Sequence, residues 1–499
     1  MTPDQFRELG HRLVDWVASY MEQPDRWPVQ SAAQPGDVLR QLPDEPPQEP
    51  GAPDEWDAIV HDLDDIILPG LTHWQSPGFL GYFPCQASGP AILGELVSAG
   101  LNVNGMSWAT SPAATELEMR VTDWMAGAIG LPESFMFGRA GFASPGGGCI
   151  QGTASEATLI ALLAGRSRVL HRPGRTVAPD QLVVYASTQA HSSVLKAAMI
   201  AGLARDADDT SRVRFVATDA DLAMDPGALA DAMTDDLAAG RHPCCVVATV
   251  GTTSSGALDP IAKIAGAIED AGVTDDCWLH VDAAHAGAAC ICPEHRWILD
   301  GVGRADSIVF NPHKALLTNF DCSLLWTRDR ASLTRALSVS PEYLRTPATD
   351  PGRTIDYRDW QIPLGRRFRA LKLWFVMRHY GVEGLRAFVR GQIRMAVLFE
   401  SLVRADQRFE ICAPRHLQLV CFRMTGPPGI DPELLNARNR ELLERVNLTG
   451  RVFLSHSTLP SPDGGPERFV LRLAVGSTSC RDEHIRTAWD IVRREADST

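Results

Sequence analysis

Four short, continuous runs of apolar residues lie in the middle of the chain, and stretches with helical periodicity separate them. Runs without polar alternation indicate strands that are buried on both faces. Strands that alternate with helices along the chain favour a mostly parallel sheet covered by helices. The sequence therefore predicts an α/β fold with a mostly parallel sheet. The four predicted strands are residues 182–185, 245–250, 278–281 and 307–310.

The N-terminal part of the chain differs from this pattern. Residues 3–22 place apolar side chains at helical spacing, whereas residues 24–53 hold eight prolines and little apolar periodicity. A proline-rich segment of this kind forms an extended arm or a linker rather than a compact domain. We predict a helix and an arm that pack on another subunit, or on their own chain.

The pattern changes again after about residue 370. Helical spacing in residues 371–379 and 385–403 is followed by strand-like alternation in residues 417–424 and 468–475. Because 499 residues are too many for one simple core, we predict three parts. They are an N-terminal segment (1–88), a large α/β domain (89–371) and a smaller C-terminal α+β domain (372–499).

Composition excludes several classes of function. The net charge of −14 argues against nucleic acid or an anionic membrane surface as partner, because phosphate contacts require a basic face. The eleven cysteines include no Cys-x-x-Cys pair and are expected to be buried, reduced thiols. The first residues lack a signal-peptide pattern, and no apolar run has the length of a membrane span. We expect a soluble, cytoplasmic protein.

Polar residues follow each of the four predicted strands. They are His191, Thr253, Asp282 and Lys314, and the last ends a buried strand in the sequence FNPHKALLTNF. Ligands of open parallel sheets bind beyond the carboxyl ends of the strands, where these residues meet. The four residues therefore predict one functional site.

A glycine-rich segment, SPGGGCIQGTASEATLIALL (144–163), adds a fifth element. Thr153, Ala154 and Ser155 begin a predicted helix, whose free N–H groups favour an anion. Taken alone, the segment is slightly more typical of a glycine turn followed by a helix N-cap. It matches neither the dinucleotide fingerprint nor the P-loop. Beside a lysine and an aspartate, a phosphate group is the better interpretation.

Together these residues have the chemistry that pyridoxal 5′-phosphate (PLP) requires. A desolvated lysine forms a Schiff base with an aldehyde, and a carboxylate on the pyridine nitrogen keeps that nitrogen protonated. Lys314 and Asp282 are suited to these tasks, and residues 153–155 to holding the phosphate. The distance between the two along the chain is about one β-α-β step, which predicts nearby strands.

Other interpretations stay open for the histidines. His280, Asp282 and His285 suggest a metal site, although a strand brings only the first two to one face. His191 is either a core histidine or a residue over the cofactor ring. His313 is more typical of a phosphate or carboxylate partner than of a general base.

Seven segments resemble the group II PLP-dependent decarboxylases, and in particular the aromatic-L-amino-acid decarboxylases. They span nearly the whole chain in the order of the family. The segments are THWQSPGFLGYFP (72–84), SWATSPAATELE (107–118), IQGTASEATL (150–159), QAHSS (189–193), WLHVDAAHAG (278–287), FNPHKALLTNFDCS (310–323) and DYRDWQIPLGRRFRALKLWF (356–375).

The resemblance implies a PLP-dependent transferase fold of type I and a homodimer with its active site at the subunit interface. It implies that Lys314 carries the Schiff base, that Asp282 pairs with the pyridine nitrogen and that His191 stacks on the ring. Tyr343 matches the loop tyrosine that protonates the substrate carbon after CO₂ leaves. The residues implied around the phosphate and the rest of the cofactor are Thr153, Ala154, Ser155, Thr253, Asn311 and His313.

The same resemblance bears on reaction and substrate. Retention of His191 and Tyr343 is typical of decarboxylases, and Gly365 is typical of those that act on aromatic amino acids. The residues implied on the substrate side are Tyr82, Phe83, Cys85, Met106 and His191. Of these, Cys85 and Met106 depart from the animal enzymes, which have threonine and phenylalanine, and His285 replaces their tyrosine.

We therefore expect decarboxylation of an aromatic L-amino acid to its amine. The alternatives are an aldehyde synthase that decarboxylates and deaminates oxidatively, a non-catalytic PLP-binding protein and a nucleotide-binding enzyme that uses the glycine-rich segment.

Overall fold

A computed structural model describes residues 1–49, 55–339 and 354–498 of the chain. The helices are α1 (Pro3–Glu22), α2 (Glu55–Asp62), α3 (Leu68–Gly70), α4 (Gly89–Leu101), α5 (Pro112–Ile129), α6 (Ala154–Leu170), α7 (Ser193–Ile200), α8 (Pro226–Ala238), α9 (Ile261–Asp270), α10 (Pro312–Ala315), α11 (Arg330–Leu337), α12 (Ala370–Arg404), α13 (Pro432–Leu448) and α14 (Asp482–Ala496). The strands are β1 (Gly147–Gln151), β2 (Leu182–Ser187), β3 (Val213–Val216), β4 (His242–Thr249), β5 (Trp278–Asp282), β6 (Ser307–Phe310), β7 (Ser323–Thr327), β8 (Phe409–Ile411), β9 (Leu419–Met424), β10 (Ser455–Leu459) and β11 (Arg468–Ala474).

A seven-stranded sheet in the order β1-β7-β6-β5-β4-β2-β3 forms the centre of the large domain. Strand β7 is antiparallel to both of its neighbours, and the pairs from β6 to β3 are all parallel. The four strands predicted from apolar runs are β2, β4, β5 and β6, and apart from the first residue of β4 all their residues are buried. The prediction of a mostly parallel sheet is confirmed. Helices on both sides bury its faces in two large apolar clusters.

The C-terminal part contains a separate four-stranded antiparallel sheet in the order β10-β11-β9-β8. Helices α13 and α14 and the end of α12 pack on it around an apolar cluster that includes Phe399, Phe422 and Trp489. This is the smaller α+β unit that the alternating strands predicted.

Helix α12 connects the two sheets. The two helices predicted over 371–379 and 385–403 correspond to the two parts of α12, which non-helical Gly381 separates at a kink. The φ of Gly381 is 62°, a value that only glycine adopts readily. Residues before and just after the kink join the core of the large sheet, and Met395 to Val403 join that of the small sheet. The predicted boundary at 371/372 lies in the first turn of α12 and stays a prediction, as does the boundary at 88/89.

The N-terminal helix contacts its own chain. Thr2 caps α1, and the Nε1 of Trp16 donates to Asp64 at 3.0 Å. The arm also lies on the same chain, where the amide of Val29 donates to the carbonyl of Gly450 at 2.8 Å. No residue of α1 is buried. The described part of the arm thus contacts its own chain, and packing of the N-terminal segment on a partner subunit stays a prediction.

The eleven cysteines all lie in the described ranges and are free thiols, ten of them buried and Cys85 half-buried. Within the same ranges no helix is long and apolar enough to cross a membrane.

Candidate active site

The residues that follow the strands of the large sheet meet in one cavity of about 170 Å³. It lies where β1, β2, β4, β5 and β6 end, as expected for a parallel sheet. A larger groove of about 880 Å³ runs between the arm and the end of α13, and it contains none of the predicted site residues. The cavity is lined by Phe83, Thr153, Ala154, Ser155, His191, Ser193, Thr249, Gly251, Thr253, Asp282, Ala284, His285, Asn311, His313, Lys314 and Phe320.

Lys314 lies in the short helix α10, which begins directly after β6. Among the described residues no carboxylate oxygen is within 4.0 Å of its Nζ, which lies 5.5 Å from the ring centre of Phe83. Desolvation lowers the pKa of Lys314, and the more distant charge of Asp282 opposes this effect. Burial without a paired acid therefore favours the neutral, nucleophilic amine.

Asp282 is the last residue of β5 and is only 4% exposed. Its Oδ1 accepts a hydrogen bond from the amide of Ala284 at 3.0 Å, and in the sheet it pairs with Thr249 of β4 and Val309 of β6. Strands β5 and β6 are neighbours, which confirms that Asp282 and Lys314 lie on nearby strands. Three short 3₁₀ helices rather than an α-helix connect the two strands.

The N-terminus of α6 faces the same cavity. Thr153 is the N-cap, and its hydroxyl accepts from the amide of Glu156 at 3.3 Å. Ala154 and Ser155 follow as the first residues of the helix and line the cavity. The N-cap is thus formed by Thr153, and the first turn of a long helix offers N–H groups to an anion. That residues 153–155 hold a phosphate stays a prediction.

In two histidines of the cavity, the hydrogen bonds show which ring nitrogen carries the proton. The Nδ1 of His313 accepts from the amide of Cys322 at 3.1 Å, and the Nδ1 of His191 accepts from the amide of Ser193 at 3.1 Å. Each neutral ring therefore carries its proton on Nε2. Burial lowers the pKa of His313 to about 4, and it also lowers the pKa of His191. Both rings are neutral hydrogen-bond donors near neutral pH.

The predicted substrate residues do not all lie in this cavity. Phe83 lines it, and half-buried Cys85 is close enough for Lys314 to lower the pKa of its thiol, against the larger effect of burial. Tyr82 is 52% exposed and borders a different groove, and Met106 is half-buried away from the cavity. Tyr343 lies outside the described residues. The substrate roles of these residues stay predictions.

Sequence reasoning missed several residues that line the cavity, among them Ser193, Thr249, Gly251, Ala284 and Phe320. Thr249 ends β4, and its strand position was an available signal. Gly251 has a φ of 85°, and a Cβ there would lie 2.8 Å from that of Ala286. Only glycine therefore fits at this position. Phe320 gave no signal, because a loop brings it to the cavity.

The structure also bears on the metal site suggested for His280, Asp282 and His285. His280 is fully buried, and its Nδ1 lies 2.8 Å from the hydroxyl of Ser307. In the described ranges no three side chains of His, Cys, Asp or Glu come together as metal ligands do.

Comparison with known proteins identifies the family. The family model of the pyridoxal-dependent decarboxylase conserved domain matches residues 35–425. The chain belongs to the pyridoxal-dependent decarboxylases. Within that family the chain is similar to the aromatic amino acid decarboxylases of plants, which confirms the resemblance seen in the seven segments.

Two relatives show how similar the chain is. It is 47% identical over 496 residues to the phenylacetaldehyde synthase of Arabidopsis thaliana, covering 99% of this chain and 96% of that protein. It is 46% identical over 498 residues to the tryptophan decarboxylase 2 of Oryza sativa subsp. japonica, covering 99% and 95%. The crystal structure of Oryza sativa TDC with PLP and tryptamine superposes with a TM-score of 0.92 at 42% identity, covering 100% of this chain and 99% of that one.

The residues of the cavity fit the cofactor of this family. They supply an amine with a lowered pKa, a buried carboxylate at the end of the neighbouring strand and N–H donors at a helix start. These groups match the aldehyde, the pyridine nitrogen and the phosphate of PLP. When bound, PLP supplies a sink for the electrons that a breaking bond at the substrate Cα leaves behind.

Proposed function

We propose that the protein decarboxylates an aromatic L-amino acid to the corresponding arylalkylamine and CO₂. The observation that carries this proposal is the placement of Lys314, without a paired acid, in one cavity with Asp282 and the start of α6. The substrate is of the class of tryptophan, 5-hydroxytryptophan, DOPA, tyrosine or phenylalanine.

Each residue predicted to bind the cofactor has a proposed task. Lys314 would hold the cofactor covalently, through a bond between its Nζ and the aldehyde carbon of PLP. Asp282 pairs with the ring nitrogen and holds a proton there, because a buried carboxylate favours a nearby positive charge. His191 covers the ring, while Thr153, Ala154, Ser155, Thr253, Asn311 and His313 surround the rest of the cofactor.

The aromatic class of substrate is supported by relatives and by the cavity wall. The two relatives described above are named for tryptophan and for an aromatic aldehyde. Phe83 provides an aromatic surface next to Lys314, and Cys85 lies beside it. Tyr82 and Met106 complete the substrate pocket in this proposal.

We also propose that the enzyme is a homodimer. Four apolar side chains of α4 are between 40% and 57% exposed. They share one helical face, whereas the opposite face packs against α12. Contiguous exposed apolar surface of this kind marks an interaction site. The four side chains are Leu93, Leu96, Val97 and Leu101.

The dimer is tested by light scattering on the wild type and on Leu96→Glu. We expect the wild type to have the mass of two chains, and the charge placed on the exposed face of α4 to shift the variant towards the monomer. A wild-type monomer contradicts this part of the proposal.

An aldehyde synthase is the second candidate, because a relative of 47% identity is a phenylacetaldehyde synthase. Retention of His191 and Tyr343 favours the decarboxylase. His191 lines the cavity with its proton on Nε2. In this proposal it covers the ring and excludes O₂ and water from the reacting carbon.

The test is a CO₂-release panel over the five aromatic amino acids, histidine and glutamate, with PLP added and an oxygen electrode in the cell. We expect CO₂ and amine in equal amounts from an aromatic substrate without consumption of O₂. Consumption of O₂ with release of ammonia and aldehyde identifies the synthase. The visible absorption of bound PLP without CO₂ from any substrate identifies a non-catalytic protein.

A further inference from the structure

His285 lies in the wall of the cavity and has no task in the function proposed above. It follows Asp282 by three residues, lines the same cavity as Lys314 and is only 6% exposed. Its ring stacks on Phe83 with the ring centres 3.7 Å apart and the planes 17° from parallel. The stack fixes the position of the imidazole next to the reacting lysine.

Both ring nitrogens of His285 lack a hydrogen-bond partner among the described residues. Buried polar atoms are nearly always paired in native proteins, since an unpaired donor or acceptor has lost its water without replacement. An unpaired imidazole in the middle of a core would be a defect. In the wall of a ligand cavity, the ligand supplies the missing partner.

The charges around His285 indicate the sign of that ligand. The guanidinium of Arg472 lies 5.3 Å from the ring centre of Phe83, and the Nζ of Lys314 lies 5.5 Å from it. Arg472 is buried and donates from Nη1 to the hydroxyl of Ser455 at 2.8 Å, while its Nε and Nη2 have no described partner. Within the described residues no carboxylate oxygen is within 4.0 Å of this guanidinium. Arg472 therefore contributes a buried positive charge that no described carboxylate within 4.0 Å balances, whereas Lys314 has Asp282 in the same cavity.

Burial and the neighbouring basic groups also determine the protonation state of His285. Desolvation, Lys314 and Arg472 all hold the pKa of His285 well below its ordinary value, so the ring is neutral. A neutral imidazole donates from one nitrogen only. Arg472 does not line the cavity, and it therefore attracts an anion through its field while His285 is placed to make the contact.

We propose that the ring N–H of His285 binds the carboxylate of the amino-acid substrate. This inference rests on the proposed function, because that function brings the amino acid to Lys314. The carboxylate and the amine of the substrate share one carbon, so a group beside Lys314 is close to both. The phosphate of the cofactor has its own donors at the start of α6 and on His313, which leaves the substrate as the anion for His285.

The test compares two ligands that differ only in the charge of this group. 3-(4-Hydroxyphenyl)propionate carries the carboxylate without an amine, and its methyl ester carries no charge. Binding of each to the PLP-loaded protein is measured by calorimetry, without turnover. We expect the wild type to prefer the acid, and His285→Phe to weaken acid binding roughly tenfold while ester binding stays the same, because a hydrogen bond to a charged group is lost.

Phenylalanine preserves an aromatic ring on Phe83, and His285→Gln keeps an N–H donor and is expected to recover part of the preference for the acid. His456→Phe is the matched control, since that histidine also stacks on a phenylalanine, Phe469, at 4.9 Å but is exposed and outside the cavity. It is expected to bind both ligands as the wild type does.

Three results overturn the inference. They are equal binding of acid and ester by the wild type, equal losses for both ligands in His285→Phe, and a loss of PLP affinity in His285→Phe without a change in the acid preference. The last result assigns His285 to the cofactor instead. Failure of the wild type to bind PLP or release CO₂ is measured separately and contradicts the proposed function, whatever the acid-to-ester ratio is.

Discussion

The molecule buries two lysines in different ways. Lys372 of α12 is 2% exposed, and its Nζ lies 2.5 Å from Glu95 of α4 and 3.8 Å from Asp321. Lys314 at the end of β6 has no described carboxylate within 4.0 Å, and desolvation lowers its pKa. The first lysine has acids that balance its charge, and the second does not.

The difference separates structure from chemistry. A buried ion pair is tolerated because the attraction of its partners offsets their desolvation, and it holds two helices together. A buried lysine without a partner costs stability and gains nucleophilicity, a cost that proteins accept at functional sites. Both lysines are buried and differ in their paired acids, so the same substitution at both provides the sharpest comparison.

The largest effect is expected for Lys314→Met. The variant cannot bind the cofactor covalently, and we expect no measurable amine production and no borohydride-reducible adduct. Its thermal midpoint without cofactor is expected to equal or exceed that of the wild type, because an unpaired buried amine has been replaced by an apolar side chain of similar length. Normal amine production by this variant contradicts the proposed site.

Asp282→Asn is the next largest. The amide keeps the size of the side chain but removes the charge that holds a proton on the cofactor nitrogen. We expect kcat to fall by at least about 100-fold, the loss typical of one preorganised electrostatic contact. The absorption spectrum of bound PLP and its dissociation constant are measured alongside. A variant with near-normal kcat shows that Asp282 does not contact the ring.

The same substitution at the other lysine, Lys372→Met, is expected to lower stability and to leave activity intact. Removal of one partner leaves Glu95, which is partly exposed, without its counter-charge. We expect a loss of roughly 3 kcal/mol in the free energy of unfolding, at the low end for a buried pair because of that exposure. PLP binding and the kcat of the folded fraction are expected to stay near wild type. The double variant with Glu95→Gln is the control and recovers part of the stability. An inactive but stable Lys372→Met reverses the assignment of the two lysines.

The smallest effect is expected for the dependence of stability on pH, through His280. Burial lowers the pKa of His280 from 6.5 to about 4, so the unfolded chain binds a proton that the folded chain does not between these values. Stability therefore falls as the pH falls from 6.5 towards 4, by about 3 kcal/mol at most for this group. His280→Gln is expected to flatten that slope by up to one proton in urea titrations at several pH values. His313 contributes a similar slope and remains in the variant. An unchanged slope shows that His280 is not buried neutral.

The sequence predicted most of the large domain. The strands β2, β4, β5 and β6 are continuous apolar runs whose type follows from burial on both faces, and their ends placed His191, Asp282 and Lys314. The antiparallel direction of β7 could not be predicted. The strand is as buried and apolar as its parallel neighbours, and composition does not show in which direction a strand runs. The kink in α12 was visible as a break between two helices.

His285 shows the limit of sequence reasoning. The sequence marked it as a departure from related enzymes, but its stack on Phe83 depends on a contact between residues that are far apart in the chain. The proximity of Arg472 depends on how the small sheet meets the large one. No local pattern contains either fact.

The sequence by itself determined the order of strands and helices, the chemistry at the strand ends and, through its resemblance, the cofactor. Periodicity and turn chemistry are local properties, and each residue carries its own functional groups. Only the tertiary structure decided which buried charges have partners. Lys372 received Glu95 and Asp321, whereas Lys314 and Arg472 received no described acid. An ion pair requires two residues that are far apart in the chain to lie close in space, and only folding brings them together.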